Sequence, residues 1–162
     1  MQTKAFLKEI YCLAEQLVSL STREELFDAI LSALQRCLPI DRAFIGIGDP
    51  EQKNFKIVRC SGGGSIKMSR SLLAEIQQHR KAVLIENFDV LPASPTNSIQ
   101  QLGISTLIFA PILSGEIFCG ALYVDRQKGQ PFSESNLKCV QAIAHLTASS
   151  LQAVNMRHQL EK

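Results

Sequence analysis

The chain begins with helical patterns of hydrophobic residues and returns to one at its end. Across residues 4–20, apolar side chains recur every three or four positions, which is the spacing of one helix face. Thr22 and Glu25 then form the Thr-x-x-Glu pattern of a capping box, so a second helix is predicted from there until Pro39 ends it. Residues 133–159 carry a third apolar stripe, which predicts a long C-terminal helix.

Between these helices lie shorter β-branched and aromatic segments that predict strands. The run from Ile117 to Val124 is apolar throughout, which indicates a central strand covered on both faces, and Asp125 is expected to end it in water. Ser114-Gly115 predicts the tight turn of a hairpin. Helical spacing around residues 72–76 predicts a short helix, and residues 86–98 are predicted to form a loop. The predicted strands cover residues 42–48, 55–61, 82–85, 106–113 and 117–124.

This order of elements favours a single α+β domain over residues 1–162. No strand–helix–strand repeat with a phosphate-binding loop occurs, so a doubly wound nucleotide-binding fold is not expected. Hairpins flanked by helices predict a mainly antiparallel sheet instead. Residues 1–20 form the N-terminal helix in this interpretation, and residues 133–162 form a helix that we expect to lead into an output domain.

Composition and charge narrow the possible classes of function. Of 162 residues, 46% are hydrophobic and 20% are charged, which is typical of a globular protein. The net charge is +2 and the basic residues are scattered, so this domain is not expected to contact nucleic acid. Three prolines interrupt the longest uncharged stretch, residues 90–115, so no membrane span is expected and a cytoplasmic location is predicted.

The five cysteines are odd in number and form no Cys-x-x-Cys pair. Each lies in an apolar, patterned segment, so we interpret them as small core residues in a reducing compartment. Cys60 is a candidate redox or nitrosation sensor, but an inert thiol is favoured because strand alternation sends the neighbouring Arg59 to the opposite face. The cysteines are Cys12, Cys37, Cys60, Cys119 and Cys139.

Two segments in the second half of the chain, residues 102–113 (LGISTLIFAPIL) and residues 120–125 (GALYVD), carry the most specific motifs. They are similar to two strands of the GAF domain, a small-molecule-sensing relative of the PAS domain, and residues 132–133 and 142–144 are similar to its last helix. The resemblance covers nearly the whole chain. The resemblance implies an antiparallel sheet of about five to six strands. It also implies N- and C-terminal helices on one face and a pocket covered by a helix and loops on the other.

The resemblance implies a regulatory sensor of signal transduction. An unknown small molecule would bind the pocket and shift the packing of the terminal helices, which would control a linked kinase, cyclase or transcription-activator ATPase. The candidate ligand-binding residues are Arg59, Ser61, Asn87, Phe88, Ser98 and Thr106.

The alternative is a ligand-free dimerisation module. Members of the family commonly form homodimers through their terminal helices, although an apolar stripe on such helices would equally cover the domain's own sheet. The candidate interface residues are Leu13, Leu17, Leu20, Leu151 and Val154.

The residues that would hold the family's known cofactors are largely missing. Among the positions matching the cyclic-nucleotide signature (Asp125, Arg126, Phe132, Asn136 and Leu137), only the phenylalanine is kept. The segment matching the bilin attachment site, residues 94–97, has no cysteine, and haem would depend on His79, which we interpret as a basic helix end. The cofactor is therefore left unassigned.

Catalysis and metal binding are not expected. The chain contains no Gly-x-Ser-x-Gly motif of the kind that presents a nucleophilic serine. The methionine-sulfoxide reductases of this fold need several cysteines near the pocket, whereas the cysteines here are spread over the predicted helices and strands.

Overall fold

The computed structural model describes residues 2–49, 54–62, 70–86, 104–127 and 129–160. Four helices and five strands lie in these ranges. The helices are α1 (Gln2–Val18), α2 (Arg23–Cys37), α3 (Arg70–His79) and α4 (Glu134–Leu160). The strands are β1 (Arg42–Ile47), β2 (Lys56–Ser61), β3 (Val83–Ile85), β4 (Thr106–Ser114) and β5 (Ile117–Arg126).

Side-chain caps fix the starts of two helices where the sequence predicts them. Thr22 has an extended backbone, and its hydroxyl accepts a hydrogen bond from the Glu25 N–H over 3.2 Å at the start of α2. The Ser133 hydroxyl accepts a hydrogen bond from the Asn136 N–H, also over 3.2 Å, at the start of α4. Each cap satisfies a backbone donor that the first helical turn would otherwise leave unpaired, so both predicted helix starts are confirmed.

The five described strands form one antiparallel sheet in the order β2-β1-β5-β4-β3. The predicted central strand, β5, lies in the middle and pairs with β1 and β4. Gly120 permits the close approach of β1, because a Cβ atom there would lie 2.2 Å from the Gly46 carbonyl oxygen. The predicted α+β class and antiparallel sheet are confirmed.

Alternate side chains enter two faces of the sheet, which we call the helical face and the aromatic face. The helical face carries aliphatic residues such as Ile45 and Leu122, and α1, α2 and α4 cover it. The aromatic face carries Phe44 and Tyr123, which cluster with Ile76 of α3. This arrangement agrees with the predicted placement of the terminal helices on one face and the middle helix on the other.

The residues predicted to form a dimer interface pack inside the domain itself. They are Leu13 and Leu17 of α1 and Leu151 and Val154 of α4, all at most 6% exposed, together with the partly buried Leu20. They do not form a surface open to a partner, and they pack in the manner of the sheet-covering stripe that was the other interpretation. The large exposed apolar side chains of α1 are Leu7, Tyr11 and Val18.

The cysteines differ from the sequence-based expectation. Cys12 and Cys60 are exposed, Cys37 and Cys119 are partly buried, and only Cys139 is fully buried. The interpretation of all five as core residues is therefore wrong for the two exposed thiols. Among the helices in the described ranges, none is long and apolar enough to cross a membrane.

Candidate functional site

Three buried rings lie side by side on the aromatic face. The strand register makes Tyr123 of β5 the neighbour of both Phe44 of β1 and Phe109 of β4. Phe44 and Tyr123 stack with ring centroids 4.8 Å apart and planes 8° from parallel. Phe109 meets both rings edge-on at 6.0 Å. Both geometries are favourable because a ring's edge is positive and its face negative, so the rings form a packed apolar floor across the three central strands.

A buried charged pair adjoins this floor. Arg42 and Asp125 face each other across β1 and β5, with Nε 3.3 Å from Oδ1 and Nη2 3.1 Å from Oδ2. Tyr123, two residues before Asp125 and therefore on the same face, donates a hydrogen bond from its hydroxyl to Oδ2 over 2.7 Å. Asp125 is 0% exposed and Arg42 is 5% exposed. The ring floor and the charged pair thus share Tyr123.

Burial dominates the electrostatics of this network. It raises the pKa of Asp125, although the hydrogen bond from Tyr123 and the charge of Arg42 act in the opposite direction. Burial also raises the pKa of Tyr123, and the nearby Asp125 carboxylate adds to that effect. Tyr123 is therefore a stable hydrogen-bond donor at ordinary pH, while at Asp125 burial opposes the charged carboxylate and its two partners, Tyr123 and Arg42, favour it.

The pairing with Asp125 leaves one hydrogen-bond donor of Arg42, its Nη2 atom, unused. Its Nη2 atom is buried and close to Asp125, but the contact lacks hydrogen-bond geometry, and no other partner for it occurs among the described residues. Buried hydrogen-bond donors are normally paired, so an unpaired buried donor such as this one is unusual. Gly62 packs directly on this arginine, because a Cβ atom at Gly62 would lie 2.7 Å from the Arg42 Cγ.

The structure places three of the predicted ligand-binding residues on the helical face. The Arg59 guanidinium pairs with Asp28 of α2 over 3.1 Å, and Ser61 accepts a hydrogen bond from the Gln35 side chain of α2. Thr106 on β4 donates a hydrogen bond to the Ile85 carbonyl oxygen over 3.0 Å. Their polar atoms are occupied on that face, so these residues do not join the site on the aromatic face.

Of the remaining predicted ligand-binding residues, Asn87, Phe88 and Ser98 lie outside the described residues. His79 is exposed at the last position of α3, which agrees with its interpretation as a helix end. Within the described part of the chain, no group of three or more His, Cys, Asp or Glu side chains could hold a metal ion.

The central residues of the site are ones that sequence reasoning missed. Asp125 was expected to reach water, but cross-strand pairing with Arg42 buries it completely. One signal was available in the sequence: Tyr123 and Asp125 are two residues apart in a strand predicted to be buried on both faces, which puts a hydroxyl and a carboxylate on one buried surface.

Comparison with known proteins identifies the kind of domain. The family model described as "GAF domain" matches residues 22–151. No curated protein matches the chain in sequence. GAF domains are generally regulatory or sensor modules.

Several solved structures share the fold at low sequence identity. The GAF domain of a phosphoenolpyruvate-protein phosphotransferase from Coxiella burnetii is 14% identical, with a TM-score of 0.79 over 96% of this chain and 98% of that one. A domain of a two-component sensor histidine kinase protein from Sinorhizobium meliloti 1021 is 23% identical, with a TM-score of 0.66 over 88% and 99%. Free methionine-R-sulfoxide reductase from Neisseria meningitidis is 12% identical, with a TM-score of 0.77 over 94% and 91%.

Proposed function

Because the chain belongs to the GAF domain family, we propose that it is a regulatory sensor whose aromatic face binds a small molecule and whose helices pass the signal to a linked output domain. The observation that carries this proposal is the buried Arg42, which presents an incompletely used donor beside a floor of three rings. Ligand sites typically combine an apolar wall with a few placed polar groups.

The same geometry suggests the chemistry of the ligand. A planar or apolar group would pack on the rings, and an acceptor oxygen, such as a carbonyl or carboxylate, would receive a hydrogen bond from Arg42 Nη2. Asp125 already balances the positive charge of Arg42, so the ligand need carry no net charge. These requirements differ from those of a covalently attached chromophore or a metal-bound group.

A route from the aromatic face to α4 runs through β4. Leu107 belongs to the aromatic cluster, while the neighbouring Thr106 lies on the helical face and accepts a hydrogen bond from the Phe132 N–H over 3.3 Å, just before α4. A ligand that shifts β4 would therefore shift the start of α4. For signalling, the ligand must bind one arrangement of these elements better than the other.

The proposal is tested by native mass spectrometry of the protein purified from cells, compared with the same sample after denaturation. We expect the wild-type protein and the control variant Arg59→Gln to carry the same additional non-covalent mass, and Arg42→Gln to carry less of it. Circular dichroism checks that both variants are folded. Equal occupancy in Arg42→Gln, or no bound mass in any sample, would contradict ligand binding at Arg42.

A second candidate function, homodimerisation, is favoured by one observation. Leu7, Tyr11 and Val18 are 58%, 66% and 74% exposed and lie on one side of α1, because their spacings of four and seven residues return to the same helical direction. Light scattering at increasing concentration tests it. The variant Tyr11→Glu should shift the protein toward a monomer, whereas Gln16→Glu, on a different side of α1, should not.

A further inference from the structure

An open cavity lies on the opposite side of the domain from the aromatic face. It forms where α1, the end of α2 and the start of α4 meet, and its volume is about 610 Å³. None of the ring or ion-pair residues of the candidate ligand site lines it, so the proposed sensor function does not account for it. Its lining includes Lys8, Glu9, Arg36, Cys37, Lys138 and Cys139.

Two cysteines from different helices meet in the wall of this cavity. Cys37 is the last residue of α2 and is partly exposed, while Cys139 lies in the second turn of α4 and is 2% exposed. The two thiols are close enough for each to shift the pKa of the other. Cys139 belongs to the hydrophobic cluster of the helical face and Cys37 packs against that cluster, so packed helices hold the two cysteines in one wall of the cavity.

The two thiols differ in their environment. The neighbouring Cys139 thiol is the largest influence on Cys37 and lowers its pKa, Arg36 acts in the same direction, and burial and the Glu9 carboxylate act against them. The Cys37 thiol, together with burial, raises the pKa of Cys139. Cys37 is also the more accessible sulfur, so a reactant that enters the cavity meets it first, and the buried Cys139 is placed to attack afterwards.

The charges around Cys37 favour an anionic reactant. Arg36 is paired with Glu9 over 3.0 Å, which leaves Lys8 and Lys138 as the uncompensated charges among the lining residues. Both lysines are exposed, so they would attract an anion at the mouth of the cavity without being buried themselves. The cavity volume is within the range of sites for small organic molecules.

We propose that Cys37 and Cys139 are a redox-reactive dithiol that exchanges with an anionic low-molecular-weight disulfide. The Cys37 thiolate attacks one sulfur of R–S–S–R, which forms Cys37–S–S–R and releases one R–S⁻. Cys139 then loses its proton and attacks the Cys37 sulfur, which forms the Cys37–Cys139 disulfide and releases the second R–S⁻. The two released thiolates take up the two protons that the protein thiols lose, so the protein is oxidised by two electrons and R–S–S–R is reduced to two R–SH.

The disulfide would join the end of α2 to the start of α4. These helices pack on the sheet through the helical face, so the bond would fix their relative position at the cavity. This redox response is independent of ligand binding on the aromatic face, and either can fail in experiment without the other.

The first test incubates the full, reduced chain with oxidised glutathione. We expect the intact mass to fall by two hydrogen atoms and peptide mapping to find Cys37 joined to Cys139. The variant Cys139→Ser should stop at a glutathione adduct on Cys37, and Cys37→Ser should form no such adduct. The control Cys12→Ser/Cys60→Ser removes the two exposed cysteines and should form the disulfide at an unchanged rate.

A second test addresses the charge of the reactant. Oxidised glutathione, which is anionic, should react faster than the cationic disulfide cystamine, by roughly fivefold at low ionic strength. The charge-reversed variant Lys8→Glu/Lys138→Glu should lose this advantage while Cys37 remains reactive. Equal rates of the two disulfides with the wild-type protein would overturn the anionic reactant.

The reactivity of the pair is judged on the wild-type protein, so a variant that fails to fold does not affect the outcome. Cys37 should react about tenfold faster than the exposed Cys12 and Cys60. Adducts on the exposed cysteines without a Cys37–Cys139 bond would overturn the proposal. A bond that forms with hydrogen peroxide but not with oxidised glutathione would overturn the assigned class of reactant.

Discussion

The helical face and the aromatic face are formed by alternate residues of the same strands, yet their chemistry differs. On β5, Leu122 and Val124 enter the helical face, while Tyr123 and Asp125 enter the aromatic face. The first two side chains need no polar partner. The other two bring a hydroxyl and a carboxylate into a buried environment, where each must be satisfied by a specific neighbour. The helical face therefore stabilises the fold by apolar burial alone, without specific polar contacts on β5.

This difference indicates where function is to be sought. A buried ion pair such as Arg42–Asp125 contributes little net stability compared with apolar residues of similar volume. Strongly perturbed ionisable groups also tend to occur at functional sites. The aromatic face therefore carries the residues that packing alone does not require, and the following variants test that contrast.

Removal of one partner of the buried pair should have the largest effect. Asp125→Leu leaves the Arg42 guanidinium buried without its carboxylate, so we expect the free energy of unfolding to fall by about 3–5 kcal/mol. The double variant Arg42→Met/Asp125→Leu removes both charges and should recover most of this loss. Urea unfolding measures both. A double variant as unstable as the single one would show that the pair itself stabilises the fold.

Removal of the Tyr123 hydroxyl should have a smaller effect. Tyr123→Phe keeps the ring stack on Phe44 but removes the hydrogen bond to the Asp125 carboxylate, which should cost about 1.5–3 kcal/mol of unfolding free energy. The matched control Tyr11→Phe changes a hydroxyl on a side chain that is 66% exposed and should stay within about 0.5 kcal/mol of wild type. Thermal and urea unfolding distinguish the two variants.

The raised pKa of Asp125 predicts a dependence of stability on pH. Its folded-state pKa lies above the ordinary value of 3.8, so the folded state binds the proton more tightly than the unfolded state. The associated stability is fully present below the ordinary value and is lost as the pH rises through the raised pKa. Wild type should therefore lose stability relative to Arg42→Met/Asp125→Leu as the pH rises through that window. Parallel pH profiles would contradict the shifted pKa.

Local patterns in the sequence were sufficient to predict most of the fold. The capping residues Thr22 and Ser133 mark two helix starts, and the apolar run of β5 identifies the central strand. These features depend on neighbours a few residues away, so helical spacing, alternation and capping make them visible in one sequence.

The candidate site could not be predicted in the same way. Arg42 and Asp125 lie 83 positions apart, and only the register of β1 against β5 brings them together. The position of Arg59, a predicted ligand-binding residue, has a related cause. A β-bulge in the β1–β2 pairing lies beside it, and its partner Asp28 belongs to a separate helix. Long-range register and irregular pairing have no local signature in the sequence.

The smallest effect is expected for the ion pair on the helical face. Arg59→Met removes the contact with Asp28, but both side chains are well exposed, so we expect a loss of only about 0.2–1 kcal/mol in unfolding free energy. The loss should diminish further in high salt, because exposed pairs are screened. Urea unfolding at two salt concentrations measures this. A loss as large as that of Asp125→Leu would mean that the two charged pairs are energetically alike, and the contrast between the faces would then rest on the aromatic rings alone.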